Sequence, residues 1–172
     1  MDNLLNGLGI ILYTTLLYTP PLLFAALGSC FSENSGVVNI GIEGMMTIGA
    51  FVGATVAHYT SLPWISFLCG GLAGAIFGAL HAWATVKLNA DQTISGTAIN
   101  FLAPGVAILL ARALFNSSDT VPLGTEQKIP LLLNGAFPTN SAWGNFLKNT
   151  FTNYATTYLV FIAVLVVWFV FY

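Results

Sequence analysis

The sequence predicts an all-α membrane protein, a polytopic helical bundle of about five transmembrane helices, and three observations predict it. Only 6 % of the residues are charged while 56 % are hydrophobic, and mean hydropathy is +0.83, far from the roughly 25 % charged of a soluble domain. Apolar runs near the ~20 residues that a bilayer core requires recur along the chain. Within them small residues repeat every fourth position, the spacing that lets two helix backbones approach closely.

The same composition excludes other classes. With four Lys plus Arg and a net charge of -2, no basic face exists to neutralise phosphates, which excludes nucleic-acid binding and a polybasic lipid-surface site. Cys30 and Cys69 have neither metal-like nor redox-like spacing and read as packing residues. Leu27-Gly28-Ser29-Cys30 has the form of a lipoprotein cleavage box, but no Lys or Arg precedes it and Pro20-Pro21 interrupts the apolar run.

The first span covers about 4–27. Pro20-Pro21 inside it either kink the helix where protein re-satisfies the freed carbonyls, or mark a simple break near the interface. Gly28 to Val38 is a short polar connector with Gly36 as its turn residue. The second span, about 39–58, opens with Ser35-Gly36-Val37-Val38-Asn39-Ile40-Gly41-Ile42-Glu43-Gly44-Met45-Met46 and places a carboxylate about one turn inside an apolar segment. In a helix, Asn39, Glu43 and Thr47 form a polar stripe continuing into Ala50 and Ala54. A carboxylate so placed faces a water-filled cavity or a protein partner and marks a substrate path. The alternatives are a Glu43 that reaches headgroup water, or one bonded to a neighbouring helix only to fix packing. Gly41, Gly44, Gly49 and Gly53 are the packing positions of this span, and His58 at its end is an interfacial histidine.

After Ser61-Leu62-Pro63 the third span, about 64–87, begins at Trp64, suited to the interface. Gly70, Gly74, Gly78 and His81 share one face, so the span is a packing element and His81 points into a close helix contact. A neutral, hydrogen-bonded histidine is one reading of His81 and a proton relay the other. The fourth span, about 93–115, carries Thr93, Thr97, Asn100 and Pro104 on one face, a second polar stripe ending in a kink. Two stripes on separate helices imply a shared polar cavity, unless the threonines bond their own i−4 carbonyls. Arg112 lies within snorkelling distance of water. Residues 116–157, with Pro122, Pro130 and Pro138, read as an extramembrane loop that holds a short interfacial helix. The apolar run from Tyr158 to Tyr172 is roughly 22 Å long as a helix, so Tyr154 to Thr157 join it to give a fifth span of about 155–172. Residues 1–172 thus form a single transmembrane domain.

The long motif at 35–46, followed by Gly49-Ala50-Phe51 and by Ala90-Asp91-Gln92-Thr93-Ile94-Ser95-Gly96-Thr97-Ala98-Ile99-Asn100, closely resembles the permeases of the branched-chain amino acid, simple sugar and nucleoside branch of ABC importers. The likeness covers roughly residues 15 to 115. Ile42-Glu43-Gly44 is similar to the nucleoside or simple-sugar subgroup, whereas amino-acid members tend to carry Ala-His-Gly-Glu at the corresponding place. The resemblance implies a multi-pass protein of the bacterial plasma membrane that pairs with a second permease subunit, cytoplasmic ATP-binding subunits and an extracellular substrate-binding lipoprotein. It implies no cofactor or metal and no ATP chemistry in this chain, which agrees with the lack of any phosphate-cradling glycine loop. Full members continue into a basic cytosolic loop and further spans, so the chain is expected to be about the first half of a permease. The resemblance also implies an outer N-terminus, Lys87 inside and the long loop outside. The positive-inside count runs against this, with Lys128 and Lys148 outside and Lys87 inside.

On that reading Asn39, Glu43, Thr97 and Asn100 line part of a path for a nucleoside or simple sugar, while Gly41, Gly44 and Gly49 permit helix rocking. Branched-chain amino acid import is the alternative within the family. An intramembrane enzyme built on Glu43, His58 or His81 is the rival of another class, but the chain has no Gly-x-Ser-Gly nucleophile and no metal-type pairing. A noncatalytic membrane scaffold is a third reading, for which the small-residue faces suffice.

Overall fold

A computed structural model describes residues 2–116, 121–133, 136 and 142–171. Among them run six α-helices: α1 (Asp2–Asn34), α2 (Ile42–Thr60), α3 (Pro63–Ala82), α4 (Gln92–Phe115), α5 (Ala142–Phe151) and α6 (Ala155–Phe171). A π-helical turn, Trp83–Lys87, extends α3. The stretches of α1 from Asn6, of α3 with its π turn, and of α4 are each long and apolar enough to cross a membrane, and α6 is a shorter apolar helix. The chain is an all-α membrane protein whose exposed surface is crowded with large apolar side chains such as Phe101, Leu72 and Ile94. In a bilayer those side chains meet acyl tails rather than water.

Two differences from the sequence reading have local causes. α1 is continuous through Pro20 and Pro21, so the simple break that one reading expected there does not occur, and it continues past the predicted connector start at Gly28 to Asn34. Its last turns are polar but self-sufficient, because Ser29 Oγ donates to Glu33 and Asn34 Nδ2 donates to the Cys30 carbonyl. α2, in contrast, begins at Ile42 rather than at Asn39. The polar stripe therefore starts at Glu43, and Asn39 belongs to the connector.

The chain divides into two compact units. One comprises residues 28–128 and contains the end of α1 with α2, α3 and α4. Its centre is small: Ile48 of α2 packs with Ala103 and Ala107 of α4, flanked by Phe51, Phe77 and Val106. Alanine and glycine dominate the contacts because here helices gain stability from close backbone approach rather than from expelling water. Gly49 and Gly70 face each other across α2 and α3; a Cβ on Gly70 would sit 2.7 Å from the Gly49 carbonyl oxygen, and one on Gly49 2.9 Å from that of Gly70. Gly53 approaches the Ser66 carbonyl, Gly74 approaches that of Met45, and Gly78 lies against the Met45 sulfur.

The other unit holds residues 1–27 and 129–172. Gly9 of α1 packs on Phe146 and Asn149 of α5. Leu131 and Tyr154 form an isolated antiparallel bridge, in which Leu132 N–H donates to the Asn153 carbonyl and Ala155 N–H to that of Pro130. That pairing fixes where α5 ends and α6 starts.

Candidate functional site

The two motifs singled out in the sequence meet. Gly96 of α4 lies against Ile40 and Gly41, and Gly44 of α2 lies against Ile99 and Asn100. A Cβ on Gly44 would stand 2.6 Å from the Ile99 carbonyl oxygen and 3.0 Å from the Asn100 Cα, so main chain touches main chain along this seam. No side chain other than hydrogen fits there.

Residues 35–41, which link α1 to α2, are not helical, so their backbone groups need partners from elsewhere. Side chains supply them. Gln92 Oε1 accepts from Val38 N–H at 2.8 Å and its Nε2 donates to the Gly36 carbonyl at 3.5 Å. Ser32 Oγ donates to the Val37 carbonyl at 2.6 Å. Asn39 Oδ1 accepts from Gly41 N–H at 3.0 Å, and its Nδ2 lies 3.4 Å from the Met45 sulfur. Asn100 closes the seam from α4: its Nδ2 donates to the Ile40 carbonyl at 2.9 Å, and its Oδ1 accepts from Gly44 N–H at 2.8 Å. Gly44 is the third residue of α2, and its N–H is one of the donors a helix start leaves without an intrahelical partner. Asn100 caps α2 from another helix.

His81 is 2 % exposed and joins three segments. Its Nδ1 is 3.0 Å from Ser95 Oγ on α4, and its Nε2 is 3.4 Å from the Val38 carbonyl. A carbonyl only accepts, so Nε2 carries a proton in that contact, and in the neutral ring Nδ1 accepts from the serine. Each nitrogen has a structural partner. His58, at the far end of α2, donates from Nδ1 to the Pro122 carbonyl at 2.8 Å and stacks edge-on against Tyr59 and Phe115. Gln127 Nε2 donates back to the His58 carbonyl at 3.0 Å, so the residues after α4 are strapped to the end of α2. Sequence reasoning missed Gln92 and Ser95, which bond partners far away in the chain; their place inside the second motif was the available signal.

The remaining residues, Glu43 and Thr97, are placed by their neighbours. On α2 Gly44 is buried against α4, and Met45, one residue later, meets Gly74 of α3. Glu43, one residue earlier, lies about 100° the other way round the helix and is exposed. On α4 Gly96 is buried against α2, and Ser95 meets His81 of α3. Thr97 is on the opposite flank and is likewise exposed. Both side chains therefore border the α2–α4 seam on the side turned away from α3. Neither has a side-chain partner among the described residues, whereas Thr47 Oγ1 donates to the Glu43 main-chain carbonyl at 2.9 Å. Among the described residues no group of His, Cys, Asp and Glu has a metal-holding arrangement.

Comparison with known proteins adds the following. The sequence model of a family described as the permease component of branched-chain amino acid transport systems matches residues 11–172. The chain is 43 % identical over 123 residues to the nucleoside ABC transporter permease protein NupC of Lactococcus lactis, covering 68 % of this chain and 39 % of the relative. It is 42 % identical over 124 residues to the guanosine ABC transporter permease protein NupQ of Bacillus subtilis, covering 69 % of this chain and 39 % of that protein. A putative glucose ABC transporter permease, TsgC13 of Haloferax volcanii, is 34 % identical over 157 residues, covering 88 % of this chain and 44 % of its own length. The chain thus spans less than half the length of these relatives. No solved structure matches it.

Proposed function

The chain belongs to the family of permease components of branched-chain amino acid transport systems, and from that premise we infer that it contributes to the membrane path of an ATP-driven importer for a nucleoside or a simple sugar. The observation that carries this reading is the seam: Glu43 and Thr97, from two different helices, border one line of main-chain contact and present free polar groups on the same side. Polar side chains on the helices of a membrane protein favour a solute path when they have no structural partner to satisfy. Asn39 and Asn100 shape this path by fixing the start of α2, and Glu43 and Thr97 touch the solute. The glycines at 41, 44, 49, 53, 70, 74 and 78 hold the three helices close enough to support it.

A neutral solute fits better than an amino acid. Neither Ile40–Thr60 nor Thr93–Gly105 contains Lys or Arg, so in these segments a solute carboxylate would meet Glu43 with no cationic side chain beside it. The relatives named for nucleosides and glucose point the same way. The working assembly comprises a second permease subunit, cytoplasmic ATP-binding subunits that supply the energy, and an extracellular substrate-binding lipoprotein. The test is Thr97→Cys in the full-length permease with Cys30 and Cys69 replaced by serine. Modification by a small thiol reagent should block nucleoside uptake, and saturating nucleoside should protect. Full modification without loss of uptake would remove the seam from the path.

A further inference from the structure

We propose that Glu43 selects solutes that present two adjacent hydrogen-bond donors, and this rests on the seam being part of the path. Of the four side chains that the sequence reading placed on the path, two are already committed. The Asn100 amide is held at both ends by Gly44 N–H and the Ile40 carbonyl, and that of Asn39 by Gly41 N–H and the Met45 sulfur. His81 is buried, with a structural partner at each nitrogen. Recognition by this seam therefore falls to Glu43 and Thr97. The Thr97 hydroxyl both donates and accepts and discriminates little. An ionised carboxylate only accepts, through two oxygens set side by side, and pairs best with two parallel donors.

Two kinds of solute offer that pattern. The N1–H and N2–H₂ of a guanine base form one donor pair, and the vicinal hydroxyls of a ribose or hexose form the other. Adenine presents a donor beside an acceptor, which sets one carboxylate oxygen against a lone pair. A site built for a donor rejects a group lacking it far more strongly than it rejects a change in size. The Glu43→Gln change keeps the shape and converts acceptor–acceptor into acceptor–donor. That pattern suits adenine, exchanges the N1–H and N2–H₂ pair of guanine for its O6 and N1–H, and is neutral toward a diol whose hydroxyls can reverse.

The experiment uses the full-length permease with its partner subunits in proteoliposomes and one unchanged binding protein, measuring initial uptake of guanosine, adenosine, 2′,3′-dideoxyguanosine and glucose. If Glu43 reads the base, Glu43→Gln should lower the guanosine-to-adenosine ratio at least about tenfold, while Glu43→Asp preserves it. If Glu43 reads the diol, the wild type should take up dideoxyguanosine at least about tenfold more slowly than guanosine, and Glu43→Ala should erase that difference while Glu43→Gln keeps it. Either result supports selection of a donor pair. Uptake of all four solutes falling in proportion in the variant, with dideoxyguanosine carried as fast as guanosine in the wild type, would overturn the selection and leave Glu43 in the path. Uptake of all four unchanged in Glu43→Ala as well as in Glu43→Gln, at normal protein levels, would overturn both.

Discussion

Asn100 is a side chain whose role changes once its neighbours are known. Its spacing from Thr93 and Thr97 suggests a cavity-lining group, yet its amide spans from α4 to the first turn of α2. Replacing it with leucine leaves the Gly44 N–H and the Ile40 carbonyl unpaired, at about 1–3 kcal/mol each. Asn100→Leu should therefore lower the melting temperature of the purified full-length protein, and an unchanged value would show that these bonds contribute nothing. An opposite case lies at the α5–α6 junction. Thr150, Asn153 and Thr157 are 4 %, 0 % and 2 % exposed, and the side-chain oxygen of each has no partner among the described residues. Elsewhere Thr14, Thr15, Thr19, Thr47, Thr55, Thr60 and Thr85 each bond the carbonyl four residues back, so Thr150 and Thr157 depart from the habit of the chain. A buried hydroxyl without a partner costs roughly 1–3 kcal/mol, and an apolar isostere removes that cost. Thr157→Val should raise thermal stability; a lower melting temperature would mean that the hydroxyl is bonded in the folded protein.

At the level of helices, α2 is defined more by what surrounds it than by its own sequence. Hydropathy and the small-residue spacing made its existence legible, but the carboxylate expected about one turn inside is the second residue of the helix, in its first turn. Its true start was not legible. Nothing between Val38 and Ile42 forbids a helix, and the extended path there depends on Gln92, His81 and Asn100, which are 43 to 60 residues away from their partners in sequence. Likewise, the glycine spacing announced close packing but not which glycine meets which. A paired substitution tests the packing. Gly44→Ala puts a methyl 2.6 Å from the Ile99 carbonyl oxygen and should cost about 1–3 kcal/mol, because backbone on both sides has no room to yield. Gly71 has nothing within 4 Å of its Cβ position, and Gly71→Ala should be neutral or stabilising by up to about 1 kcal/mol. Equal effects of the two, read from detergent-solubilised melting curves, would contradict the assignment of the seam.

For the whole molecule, composition alone settled the class: 6 % charged residues leave no other home than a bilayer. Orientation is less visible, because four Lys and Arg residues give the positive-inside rule little to count. The expected arrangement places Thr125 outside and Lys87 inside. Cysteines introduced there by Thr125→Cys and Lys87→Cys in the full-length protein, with Cys30 and Cys69 replaced by serine, should respond oppositely to a membrane-impermeant reagent added to intact cells. Labelling of position 87 with protection of 125 would invert the arrangement.

Main-chain contact between Gly44 and Ile99, and between Gly41 and Gly96, also limits how these helices could move in the transport proposed above. Helices that meet through long side chains can ratchet by a turn, about 5.4 Å, as one set of knobs leaves its holes and finds the next. Bare backbone offers no such tread: sliding by one turn would bring Cβ atoms into a gap that admits only hydrogen. The front of α2 and the first half of α4 must therefore travel as a single strut, and any opening has to be taken up along their other surfaces.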